Sequence, residues 1–111
     1  MNEKELFDLL KTIQIDDTHT IPVAYDHFEE NLVNKVVPPF ILYRNTDTTT
    51  LKADDKVFYQ NNNYIIDLVY EVKNIALEQK LEKLLNDNYL PYDKEEDYLF
   101  DERIYQIRYF I

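Results

Sequence analysis

Histidine and carboxylate chemistry is what this chain offers first. His19 stands in Asp17-Thr18-His19, and His27 in Asp26-His27-Phe28-Glu29. Imidazole and carboxylate together form the ligand set of zinc and related transition metals. Their spacing here matches no established metal motif, and polar residues at loops and strand ends account for both segments. Carboxylate pairs are numerous, as 22 acidic residues make unavoidable. None stands in the apolar setting that raises a pKa for acid–base work. Asp93-Lys94-Glu95-Glu96-Asp97 has the charge of a calcium loop without its central glycine or its closing glutamate spacing. The segment Tyr92 to Asp97 therefore reads as a solvated acidic turn or loop. No catalytic, cofactor-binding or metal-binding residue is assigned.

Two absences narrow the field further. The chain has no cysteine, which excludes disulfides, thiol nucleophiles and cysteine-based zinc sites. It has no glycine either, which excludes a P-loop, a dinucleotide fingerprint and the glycine-flanked nucleophile elbow. Positive-φ turn positions are expected to fall to Asn and Asp, the residues that tolerate them best after glycine.

The 12 basic and 22 acidic residues give a net charge of −10, the wrong sign for a nonspecific nucleic-acid binder. Such a charge keeps a protein soluble; it also suits a basic partner. No apolar run approaches the roughly 20 residues of a membrane helix. The start, MNEKELFDLL, is acidic and amphipathic rather than basic and then apolar, so a cytoplasmic protein without a signal peptide is expected. With 111 residues and 45% hydrophobic content, residues 1–111 form one domain with a single core.

The elements that must position any site follow from periodicity. Asn2 caps a first helix, with Glu5 in the capping-box position and Leu6, Leu9, Leu10 and Ile13 as its apolar stripe; the helix fades near Gln14. A short strand falls in Ile21–Phe28, and Glu29 to Lys35 is polar and ambiguous. Pro38-Pro39 forces an extended entry into Phe40-Ile41-Leu42-Tyr43, apolar on both faces and hence a central strand. Asn45 to Asp55 has no core pattern and reads as an exposed, mobile loop. Lys56–Gln60 and Tyr64–Val72 form a hairpin around the turn Asn61-Asn62-Asn63. In its second strand Tyr64, Ile66, Leu68, Tyr70 and Val72 share one face, with Ile65, Asp67, Val69 and Glu71 on the other. Asn74 caps a second helix whose stripe is Leu77, Leu81, Leu84, Leu85 and Asn88; Lys80 and Lys83 share its outer face with Glu78 and Glu82. Tyr105, Ile107, Tyr109 and Ile111 alternate with Gln106, Arg108 and Phe110 in a closing strand.

The expected fold is α+β. An antiparallel or mixed sheet of four to five strands carries both helices on one face, in the order α-β-β-β-β-α-β. Ten tyrosines and six phenylalanines exceed what such a core needs, and tyrosine is favoured in interfaces. Ile65, Val69 and Phe110 fall on the less covered face. With Tyr105 and Tyr109 of the closing strand they are the candidate self-association residues.

In order and local flavour the chain resembles the tail terminator, or tail completion, proteins of long-tailed phages and prophages of Gram-positive bacteria. The resemblance runs from the helix KELFDLLKTI through an I-P-x-x-Y strand (Ile21 to Tyr25) and a P-P-[FY]-[IV]-x-Y strand (Pro38 to Tyr43). It continues through a hairpin that leads into a helix of the type x-L-E-x-x-L-E-x-x-L (Ala76 to Leu85). An acidic loop and a tyrosine-rich closing strand (Tyr105 to Ile111) complete it. The motifs are structural and carry no catalytic residues. The resemblance implies a non-enzymatic virion protein, made in the host cytoplasm, without cofactor or membrane. It implies a ring, commonly a hexamer, that caps the tail tube, stops its polymerisation and helps join tail to head. The implied partners are further copies of the chain, the major tail tube protein and a head completion protein. DNA is met only in passage through the ring, where an acidic lumen would repel it. A rival reading from charge and size is a small acidic inhibitor or DNA mimic directed at a host nucleic-acid enzyme, though Lys and Arg interrupt any uniform acidic stripe. An enzyme with an unfamiliar carboxylate site is the third class.

Overall fold

A computed structural model describes residues 2–28, 37–53 and 56–111, with side chains for all of these but 49–53 and 56–61. The segment Glu29 to Lys35, left ambiguous by the sequence, lies outside the described residues. Helix α1 (Glu3–Leu10) begins where Asn2 accepts a hydrogen bond from the Glu5 amide at 2.8 Å, satisfying an otherwise orphaned donor. It ends at Lys11, short of the expected Gln14, and Ile13 packs into the core from beyond the helix. Strand β1 (Val23–Tyr25) is short; β2 (Phe40–Ala53) and β3 (Lys56–Tyr70) are long. Helix α2 (Ile75–Asp87) starts at Asn74, whose side chain accepts from the Leu77 amide at 3.1 Å. Strands β4 (Asp93–Leu99) and β5 (Ile104–Phe110) close the fold.

The five strands form one sheet in the order β1-β2-β3-β5-β4. Only the β1–β2 pair is parallel, so the sheet is mixed and mostly antiparallel. The fold is α+β, and both helices pack on one face. Period-two alternation decides which residues meet them. Ile41, Tyr43, Tyr64, Ile66, Leu68, Tyr70, Ile107 and Tyr109 form one buried cluster with Leu6, Leu10, Leu77, Leu81 and Leu85 of the helices. Ile65 and Val69, one residue out of phase on β3, lie outside that cluster.

The order of elements differs from the expected one, α-β-β-β-α-β-β in place of α-β-β-β-β-α-β. Asn61-Asn62-Asn63 is not a turn. These residues pair with Thr49, Thr48 and Asp47 inside one continuous β3, and Asn45 to Ala53 is strand rather than mobile loop. Polar cross-strand pairs hold this stretch where apolar ones are missing: Thr48 Oγ1 donates to Asn62 Oδ1 at 2.9 Å, and Asn63 Nδ2 to Asp47 Oδ1 at 2.7 Å. A bulge at Thr46 interrupts the ladder between Asn45 and Asp47. Asp93 to Asp97 is likewise strand, paired with Phe110 through Gln106 of β5. Beyond Ile65, the strand that β3 pairs with among the described residues is β2, and Tyr64 also exchanges backbone hydrogen bonds with Ile111. The two strands run on as a ribbon about 25 Å long, which accounts for much of the 51 Å long axis.

Without glycine, the left-handed positions among the described residues fall to Asp26, Tyr89 and Arg103, so only one of these three is the expected Asn or Asp. Tyr89 follows the cap of α2, where the Leu90 amide donates back to the Leu85 carbonyl at 2.9 Å. Arg103 closes the β4–β5 turn by donating its amide to the Leu99 carbonyl at 2.7 Å. Helix closure and the tight turn dictate the backbone there, and the side chain bears the cost. Tyr89 is also the most exposed large aromatic described, at 92%. Replacing Tyr89 by Gly should therefore raise unfolding free energy by up to about 1 kcal/mol in urea titrations, despite removing an aromatic ring. Leu81, with no exposed surface, should show the opposite: Leu81→Ala should cost about 2–5 kcal/mol by the same measurement.

Candidate functional site

Glu78 is the one charged residue among those described that is buried, at 3% exposure. It sits in the first turn of α2 on the side facing β4, three and seven residues before Leu81 and Leu85, and not on the outer face with Lys80 and Lys83 where the sequence reading put it. Three donors surround its carboxylate. The Tyr70 hydroxyl donates to Oε2 at 2.5 Å, Lys73 Nζ lies 2.9 Å from Oε2, and Lys94 Nζ lies 3.0 Å from Oε1. Lys73 also pairs with Glu96 of β4. Lys94 extends to Glu82 at 3.4 Å, and Glu82 accepts from the Tyr92 and Tyr109 hydroxyls at 3.0 and 3.2 Å. These links place Lys94 and Glu96 of β4 on the helix side of the sheet.

Burial alone pushes the Glu78 carboxyl up, but the bonds from Tyr70, Lys73 and Lys94 outweigh it and hold the group below the ordinary range. Burial and the neighbouring carboxylates drive the Tyr70 and Tyr109 hydroxyls upward. Every shift strengthens the charge state that neutral water already favours. A general acid or base needs the reverse, a pKa moved toward neutrality. What this cluster does is fasten β4, an edge strand whose exposed residues bury little apolar surface, to the second helix.

Among the described residues no helix lies on the opposite face of the sheet, where Phe28 packs edge-on against Phe40. Cross-strand register orders this face into rows. One row runs Asp93, Phe110, Ile65, Arg44 from β4 to β2, and the next Glu95, Arg108, Asp67, Leu42. Arg108 grips Asp67 with two bonds, Nε to Oδ1 at 2.8 Å and Nη2 to Oδ2 at 3.1 Å, the bidentate form of this contact. A third row contains Val69 beside Gln106 and Phe40.

The candidate self-association residues divide between the two faces. Ile65, Val69 and Phe110 lie on the face turned from the helices; Ile65 and Val69 are buried, and Phe110 is half-buried. Tyr105 and Tyr109 point to the helices. Tyr105 is half-buried against Tyr70 and Tyr98, and Tyr109 has no exposed surface, so it serves the core rather than a surface. The strand phase made this legible, since Tyr109 alternates with Phe110. The histidines lie apart from both regions of interest in their own turns, His19 Nδ1 at 3.0 Å from Asp16 and His27 Nδ1 at 3.1 Å from Asp26. Among the described residues no group of three or more His, Asp or Glu side chains is placed to hold a metal ion, and no helix is long and apolar enough to cross a membrane.

Sequence reasoning missed the buried Glu78, because a helical wheel cannot know that an edge strand will fold back beside it. The signal that could have found it is the pair Lys73 and Lys94, flanking α2 on either side of a helix short of basic residues at its start. No protein-family model matches the chain, and no curated protein matches it either.

The cluster has a pH signature. The folded-state pKa of Glu78 is depressed, so its contribution is fully present above the unfolded value of about 4.3 and is lost as pH falls through the folded value. Glu78→Gln should lose about 2 kcal/mol in urea unfolding at pH 7. The gap between variant and parent should narrow as the pH is taken below the unfolded value. A gap independent of pH would show that packing rather than charge holds this residue.

Proposed function

We propose that this protein caps a phage tail tube as a ring of identical copies, ends tube growth and helps present the tail to the head. The observation that carries the reading is the β2–β3 ribbon. It leaves a sheet whose helices cover one face and extends well past the ends of β1 and β5. An isolated two-stranded ribbon is marginal in water, and this one ends, by sequence, in Leu51, Val57, Phe58 and Tyr59. A ring closes by heterologous contacts, in which the projection of one subunit meets a different surface of the next. The P-P-F-I-L-Y strand and the junction from β3 into α2 support the same reading, through resemblance to tail terminator proteins. The rival, an acidic inhibitor of a nucleic-acid enzyme, has in its favour the exposed carboxylates of Asp93, Glu95 and Asp97 on one strand. Arg108, in register with Glu95, interrupts that surface.

The test is made in the phage or prophage that carries the gene. Its deletion should give overlong tails or tails unjoined to heads under the electron microscope. A variant in which residues 48–60 are replaced by Asn-Gly, a sequence suited to a two-residue hairpin turn, should fold, as judged by circular dichroism, and yet give the same defect. Tails of normal length, joined to heads, in the deletion would overturn the function. Normal virions from the folded short-ribbon variant would overturn the role of the ribbon.

A further inference from the structure

We propose that the face of the sheet turned from the helices is self-complementary and pairs two copies of this chain about a twofold axis parallel to the strands. One of its rows carries opposite charges at its two ends, on β2, which lies inside the short edge strand β1, and on the edge strand β4. Arg44 on β2 and Asp93 on β4 are both exposed, and among the described residues neither makes an ion pair. They occupy the same cross-strand row, but β3 and β5 lie between them. Three strand spacings keep them about 14 Å apart, too far to meet within one molecule. Between them stand Phe110 and Ile65, an apolar centre flanked by an acid on one side and a base on the other.

Such a row is complementary to its own reversal. A twofold axis running along the strands, between β3 and β5 and midway between two stacked sheets, turns each row onto itself end for end. Asp93 of each copy then faces Arg44 of the other, and Phe110 faces Ile65. In the next row Arg108 of each copy lies over Asp67 of the other, so two internal pairs become one cluster of alternating charge. Glu95 meets Leu42, and within these two rows like charges do not meet; Asp26, beside Arg44 on the same face, is a further acid at that side. Stacked sheets cross at about 30°, a small offset over the two rows concerned. The contact is isologous, the commonest form of dimer.

Other occupants fit worse. A nucleic acid would meet Asp67, Asp93 and Glu95. An acidic peptide would meet the same groups, and a basic one would meet Arg44 and Arg108. A second copy answers both signs at once. Because Ile65 is nearly buried, Phe110 and Leu42 supply most of the apolar contact. The area is therefore small, at the weak end of specific interfaces. The inference does not rest on the tail reading, since a twofold pair builds no ring; either can fail while the other stands.

Sedimentation equilibrium of the full chain tests it, from about 20 µM to 1 mM at low salt, where an interface of this size should show association. The parent should approach a dimer, and about 0.5 M salt should weaken it. Arg44→Asp and Asp93→Arg should each weaken association at least about tenfold. The double variant, which exchanges the charges, should recover to within about threefold of the parent. Thermal unfolding should be unchanged in all three, because both sites are exposed. A parent that is monomeric at 1 mM, a dimer indifferent to either single change, or a double variant as weak as the singles would each overturn the proposal.

Discussion

The phase of β3 is the constraint on which the rest of this molecule depends. It is hydrogen-bonded on both sides, to β2 and β5. Its even-numbered residues from Tyr64 to Tyr70 include Ile66 and Leu68, which meet the helices, while Ile65, Asp67 and Val69 meet solvent or their strand neighbours. A slip of one residue would exchange the two sets. It would put Asp67 under Leu81 and leave Tyr64 and Tyr70 without the core. Every other strand takes its facing from this one, directly or through β5. The position of Tyr109 in the core and of Phe110 outside it is fixed by the pairing of Tyr109 with Ile66.

The edge strand obeys a different economy. β4 has too few apolar residues to be held by burial, and Asp93 through Asp97 are exposed. Charge holds it instead. Lys73 and Lys94 bridge α2 and β4 through Glu78, Glu82 and Glu96, with tyrosine hydroxyls completing the acceptors. Surface ion pairs contribute little singly, but these share a buried carboxylate, and a buried charge left without partners costs far more than an exposed one. The same acidic residues keep an open sheet edge from pairing with a copy of itself. Stability and solubility at this edge therefore come from one set of side chains.

How much of this was legible depended on where the apolar residues fell. The stripes Leu6/Leu10 and Leu77/Leu81/Leu85, the caps Asn2 and Asn74, and the alternation in Tyr64–Tyr70 all pointed to the observed elements, because burial imposes a period on the sequence. The ribbon carried no such period. Thr46 to Thr50 and Asn61 to Asn63 pair through polar side chains away from any core, so composition argued for a loop and an asparagine turn. In β4 the inward positions are Lys94 and Glu96, whose burden is electrostatic, and a pattern read only in hydrophobicity passes over them. Tyr89 and Arg103 hold left-handed positions that their side chains do nothing to advertise.

The sequence by itself determined the fold class, the two helices with their caps, the phase of the central strand and the absence of glycine- or cysteine-dependent chemistry. Each is written in local spacing or in bare composition. The tertiary structure alone decided that β4 would lie beside α2 and bury Glu78. It alone decided that the β2–β3 pair would outrun its neighbours, and that Arg44 and Asp93 would stand at the two ends of one row. Those facts depend on which strands become neighbours. Residues 44 and 93 are brought into register by the ladders of two intervening strands, β3 and β5, and no local pattern encodes the order in which strands are laid side by side.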